Sequence, residues 1–135
     1  MTQIRDSEGV DPYSNWEDWR KQEFRNGLHN GRVGGMLVSE TDEVRIWHIS
    51  LAPGDRLGFH CHVLNYFWTS LANGRARSNY GDGSVREVEY SAGTTAHYAF
   101  AEGEAMVHDL ENVGDTPLLF VTVEFKKSGN HPLPI

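Results

Sequence analysis

The chain is 135 residues long, a length that supports one ordinary core and is short for two. Apolar residues make up 39% of it and charged residues 23%, which excludes a disordered tail, and a formal charge of -7 with scattered Lys and Arg argues against a nucleic-acid partner. No apolar run is long enough to span a membrane, residues 1–10 are polar where a secretory signal would be apolar, and the single Cys61 excludes both an internal disulfide and a thiolate metal cage. A cytoplasmic protein with no membrane partner is therefore expected.

In chain order, residues 1–30 form a distinct N-terminal segment. Ser14 and Glu17 have the spacing of a capping box, and Trp16, Trp19 and Phe24 recur at near-helical spacing until Asn26-Gly27, so one short amphipathic helix is predicted. Its aromatics are expected to pack on the domain's own flank in preference to a partner subunit. Residues 31–127 then read as one β-domain, with 128–135 as a tail. Val44–Leu51 is an apolar-rich strand ended by Pro53-Gly54, and residues 64–72 run into Asn73-Gly74, which predicts a hairpin. Gly81-Asp82-Gly83 turns the chain into Val85–Tyr90. A strand over 105–112 is separated by Gly114-Asp115 from Leu118–Phe125, where odd and even positions alternate. About eight strands without intervening helices predict an antiparallel sandwich or jelly-roll barrel, since parallel pairs need long crossovers.

Of seven histidines, three stand out. Side chains two apart on a strand share a face, so His60 and His62 project together while Cys61 turns away. The same parity runs on through Leu64, Tyr66, Trp68 and Ser70. On the later strand Met106, His108, Leu110 and Asn112 share one face, and Asp109 and Glu111 the other. If both even-numbered faces point inward, His108 completes a three-nitrogen set suited to a divalent transition metal. Taken alone, His108 is as readily an ordinary hydrogen-bonded residue. Two imidazoles buried beside an apolar wall without a common partner are costly, which favours a metal for the His60/His62 pair.

These residues resemble the cupin motifs. Gly54, residues 55–59, His60-Cys61-His62 and Gly74 match the first motif; Gly93, His108 and Asn112 match positions of the second, and the likeness covers residues 43–125. The resemblance implies an all-β, single-domain cupin jelly-roll (double-stranded β-helix) barrel with a central metal, and often a homodimer. It is nearest to the short cupins of beta-alanine degradation, which similarly carry a Tyr after His-x-His. The family's glutamate ligand is absent, with Tyr66 at the in-phase position, so the site resembles the three-histidine variant of some thiol and diketone dioxygenases. Gly93 also lies further from His108 than the motif expects. Residues 94–104 then form a longer excursion, and His97 or Glu104 is an alternative ligand that replaces or supplements His108.

The expected chemistry is that of a non-haem metal enzyme, dioxygenase-like, acting on a small chelating acid, thiol or diketone. Iron is the first expectation, with Zn, Ni, Mn or Cu also compatible. Tyr66 is the expected catalytic hydrogen-bond donor, in a substrate pocket of Tyr66, Trp68, Met106 and Tyr98. A redox-neutral isomerase or lyase at the same metal, and a non-catalytic small-molecule-binding cupin, are the alternatives. Metal is expected to dissociate below about pH 6.5, the reference histidine value.

Overall fold

A computed structural model describes residues 15–135. Among them are one helix, α1 (Asp18–Gly27), and nine strands: β1 (Met36–Glu40), β2 (Val44–Leu51), β3 (Arg56–His62), β4 (Asn65–Ser70), β5 (Gly74–Asn79), β6 (Val85–Tyr90), β7 (Thr95–Tyr98), β8 (Met106–Asn112) and β9 (Leu118–Phe125). All ladders are antiparallel and form two sheets, ordered β1-β2-β9-β4-β7 and β3-β8-β5-β6. The period-2 pattern dictates what each strand buries: Leu118, Phe120, Thr122 and Glu124 on β9 turn inward, as do Arg45, Trp47, Ile49 and Leu51 on β2. Ile49, Leu51, Ala76, Leu110, Leu118 and Phe120 make a core shared by both sheets.

The Asn73-Gly74 expectation is overturned. β4 and β5 belong to different sheets, so the dipeptide carries the chain across the sandwich and closes no hairpin. A Cβ on Gly74 would stand 2.7 Å from Leu118 Cδ2, and Asn73 Oδ1 accepts a hydrogen bond from the Ala92 N–H at 2.9 Å. Both residue types serve packing and a long-range bond there. Gly81-Asp82-Gly83 does make the β5–β6 hairpin: Gly83 sits at φ +85°, and Asp82 Oδ1 accepts from the Ser84 N–H and hydroxyl.

Helix α1 covers the outer face of the four-stranded sheet. Phe24 packs edge-on against Phe59 beside Cys61 and Val107, with Trp16 closing the cluster, so these aromatics do face the domain's own flank; Trp19 stays exposed. Glu17 occupies the N-cap position without a side-chain cap bond and accepts instead from Trp19 Nε1 at 2.6 Å, while Ser14 lies outside the described residues. Residues after β9 return to the body, where the Gly31 N–H donates to the Pro134 carbonyl and Arg45 Nη1 to that of Leu133. No helix among the described residues is long and apolar enough to cross a membrane.

Candidate metal centre

The centre is made by one irregularity in one ladder. β3 pairs with β8 at Leu57↔Leu110 and again at His60↔His108, so three steps on β3 span two on β8. The extra residue at Gly58-Phe59 is a β-bulge, and it switches the parity of the strand. Before the bulge Leu57 packs against the inner core; after it Phe59 and Cys61 lie beneath α1 and His60 and His62 face the interior. His60 thus stands directly opposite His108. The ligating atoms of His60, His62 and His108 all lie within 4.8 Å of one another.

The bulge also orients the first imidazole. His60 Nδ1 is 2.8 Å from the Gly58 carbonyl, a bond only an N–H can make, so Nδ1 carries the proton and Nε2 presents its lone pair. His62 Nε2 lies 3.1 Å from His108 Nε2. Two nitrogens bonded to one ion at about 2.1 Å stand roughly 3.0–3.4 Å apart for octahedral to tetrahedral angles, so the spacing suits a shared cation. Without one, only a single proton fits between these two atoms, and Nδ1 of both His62 and His108 is buried without a hydrogen-bond partner. A divalent ion would accept both Nε2 lone pairs and fix both tautomers. The donor set therefore fits a first-row transition metal. Burial holds the rings neutral, as ligands must be: His60 is pulled down to about 4, and His62 and His108 well below the ordinary histidine value.

The histidines form one wall of a cavity of about 190 Å³ between the sheets. Tyr66, Trp68, Tyr98 and Met106 line it, and the ring of Tyr66 stacks on His62 (4.1 Å between centroids) and on Tyr98 (4.8 Å). Burial keeps the Tyr66 phenol protonated, its pKa well above the usual tyrosine range. Leu64 and Ser70 are buried but do not line the cavity: Leu64 lies between β3 and β4, and Ser70 ends β4 with its hydroxyl donating to the Ala72 carbonyl. The alternative ligands are not brought in. His97 is exposed on the outer face of β7 against Phe67, and Glu104 Oε1 accepts from the Ala101 N–H in its own turn; β7 and the Gly103 turn take up the long excursion. Tyr80, Tyr90, Ser78 and Arg86 also line the cavity. On β6 Val88 and Tyr90 alternate with Glu87 and Glu89 and mark an inner face, but Ser78 and Arg86 are polar positions on that face with no apolar pattern of their own.

Asp109, on the opposite face of β8 from His108, organises the outside of the site. Its carboxylate accepts from Arg56 Nε (3.0 Å) and Nη2 (2.9 Å) and from the Asn79 N–H (2.7 Å), and Arg56 forms a second, bidentate pair with Glu23 of α1. Glu23 Oε1 also accepts the Phe59 N–H, freed at the bulge. The Arg56 guanidinium holds the Glu23 carboxyl below the usual range.

Solved structures share this architecture. A cupin domain from Bordetella pertussis superposes with a TM-score of 0.59 at 21% identity, covering 67% of this chain and 90% of that one. The chain has the cupin fold. A double-stranded β-helix protein from Klebsiella pneumoniae gives a TM-score of 0.55 at 24% identity over 79% of this chain and 90% of its own, and a Bacillus halodurans protein 0.53 at 16% identity over 97% and 91%. In sequence, the cupin-fold chain is 32% identical over 77 residues to oxalate decarboxylase of Bacillus subtilis, a match covering 56% of this chain and 19% of that protein. No protein-family profile matches.

Proposed function

We propose that this cupin-fold protein is a metal-dependent enzyme of the dioxygenase type acting on a small chelating acid, thiol or diketone, its ion held by His60, His62 and His108. The observation that carries the reading is the convergence of three neutral imidazoles from two strands on the wall of an aromatic-lined cavity. A divalent first-row ion there, iron first and Zn, Ni, Mn or Cu by the same donors, supplies a Lewis acid with open positions and, as Fe(II), an electron donor toward dioxygen. The chain's own residues do the remainder. A ligand set without carboxylate leaves the ion's charge uncompensated and favours anionic chelators. Tyr66 fixes the plane of His62 by stacking, and its protonated hydroxyl is the donor beside the imidazoles for the reacting end of the substrate. Tyr98 and Trp68 exclude water around the bound molecule.

Oxygen uptake by the iron-loaded protein with a panel of chelating acids, thiols and diketones tests this. Turnover with at least one is expected, falling by about a hundredfold or more in His60→Ala as a ligand is lost; a panel consumed without oxygen, or not at all, contradicts it. The likeness to oxalate decarboxylase favours one second reading, a redox-neutral lyase cleaving a small acid at the same centre. It is distinguished by carbon dioxide release with no net use of oxygen.

A further inference from the structure

In a protein whose formal charge is -7, the cavity wall carries one cation, Arg86, and no Asp or Glu among the described residues. Arg45, Arg56 and Arg77 each pair with a carboxylate, and Arg86 pairs with none of the described ones. Strand parity explains the difference. On β6, Arg86, Val88 and Tyr90 face the cavity, whereas Glu87 and Glu89 face away, and Glu87 is taken by Arg77 across the ladder. Directly opposite Arg86 in that ladder is Ser78, itself buried in the cavity wall. The guanidinium's charge reaches the Tyr80 and Tyr90 hydroxyls, whose upward displacement by burial it partly offsets. Arg86 lines the cavity while remaining exposed to solvent, so its guanidinium stands where the cavity opens. An unpaired guanidinium there, beside hydroxyl donors and with no acid in the lining, is suited to a carboxylate.

We propose that Arg86 binds a carboxylate that the substrate carries beyond its metal-binding group, so that the cavity selects small anionic chelators over neutral ones of the same size. This rests on the metal reading above and narrows it. The volume, about 190 Å³, lies below the roughly 300 Å³ at which sites for larger ligands begin, which confines the class to short-chain acids. Arg86 is here a specificity residue, with Ser78, Tyr80 and Tyr90 supplying hydroxyls around the same anion.

Inert chelators of matched length provide the test. The half-hydroxamates of succinic and glutaric acid carry a terminal carboxylate; butanohydroxamic and pentanohydroxamic acid end in methyl. Calorimetric titration of the zinc-loaded full chain should show at least one half-hydroxamate binding about tenfold or more tighter than its methyl counterpart, the size of a charge-assisted pair. Arg86→Gln should abolish that ratio and leave the methyl-ended affinities within about twofold. Equal affinities in the wild type, a ratio that survives in Arg86→Gln, or no binding of either kind by the zinc-loaded protein would overturn the assignment. The metal-free chain separates the two claims: if the metal reading holds, both kinds of probe weaken together on removing zinc. If the chain takes up no zinc, that reading fails, and the ratio between the charged and methyl-ended probes still decides the role of Arg86.

Discussion

Glu124 is a carboxyl group buried to 2% exposure, with one hydrogen bond, from Trp47 Nε1 at 2.7 Å, to compensate for lost hydration. Burial therefore pushes its pKa up from 4.5 to about 7, the Trp47 bond only partly offsetting it. The folded state holds this proton where the unfolded chain has released it, so this contribution to stability is full below about pH 4.5 and is lost as pH rises through 7. The difference is on the order of 3 kcal/mol. Glu124→Gln, which keeps an acceptor for Trp47, should lose less melting temperature than wild type between pH 5 and pH 8; parallel curves would refute the assignment. The histidines act in the opposite sense. Their folded pKa values lie below that of the unfolded chain, so the stability they contribute is present above about 6.5 and is lost as pH falls toward about 4. Burial that pulls His60 down to about 4 lets protons compete for it in the folded site only at lower pH than for a free histidine, so metal release is predicted toward pH 4. Metal content followed by gel filtration and elemental analysis should hold at pH 5.5, and its loss there from folded protein would contradict this. At this scale the His60/His62 pair was legible from parity alone. Arg86 was not, because an arginine on a polar edge strand has no sequence mark that separates cavity from solvent.

At the scale of elements, the bulge at Gly58-Phe59 and the helix that sits on it make the site. Nothing in residues 56–62 announces the parity switch, which is stabilised by partners distant in sequence: Glu23 on the Phe59 N–H and Asn30 Nδ2 on the Phe59 carbonyl. The helix reaches that close because residue 27 is glycine. A Cβ there would stand 2.6 Å from Phe59 Cβ and 2.9 Å from its carbonyl oxygen. Gly27→Ala should destabilise the fold by about 1–3 kcal/mol in chemical denaturation, despite the better helix propensity of alanine. An unchanged midpoint would show that α1 does not bear on the bulge. Strand identities over β2, β8 and β9 could be read from periodicity. The pairing of β4 and β5 could not, because Asn-Gly marks a tight chain reversal and carries no information about which sheet receives the next strand.

For the molecule as a whole, two sheets closing over one core followed from short strands, frequent turns and the absence of crossovers, and the paired motifs were enough to name the fold. What the two-sheet arrangement adds is convergence: β3 and β8 bring the histidines, β4 and β7 the stacked tyrosines, and β5 and β6 the hydroxyls and Arg86, all around one cavity. The account depends on that convergence holding a metal ion. X-ray absorption at the edge of the metal taken up by the purified chain examines it most directly. Three imidazole nitrogens at about 2.0–2.1 Å are predicted, falling to two in His108→Ala. A chain that binds no metal, or a shell dominated by carboxylate or sulfur unchanged in that variant, would contradict the account.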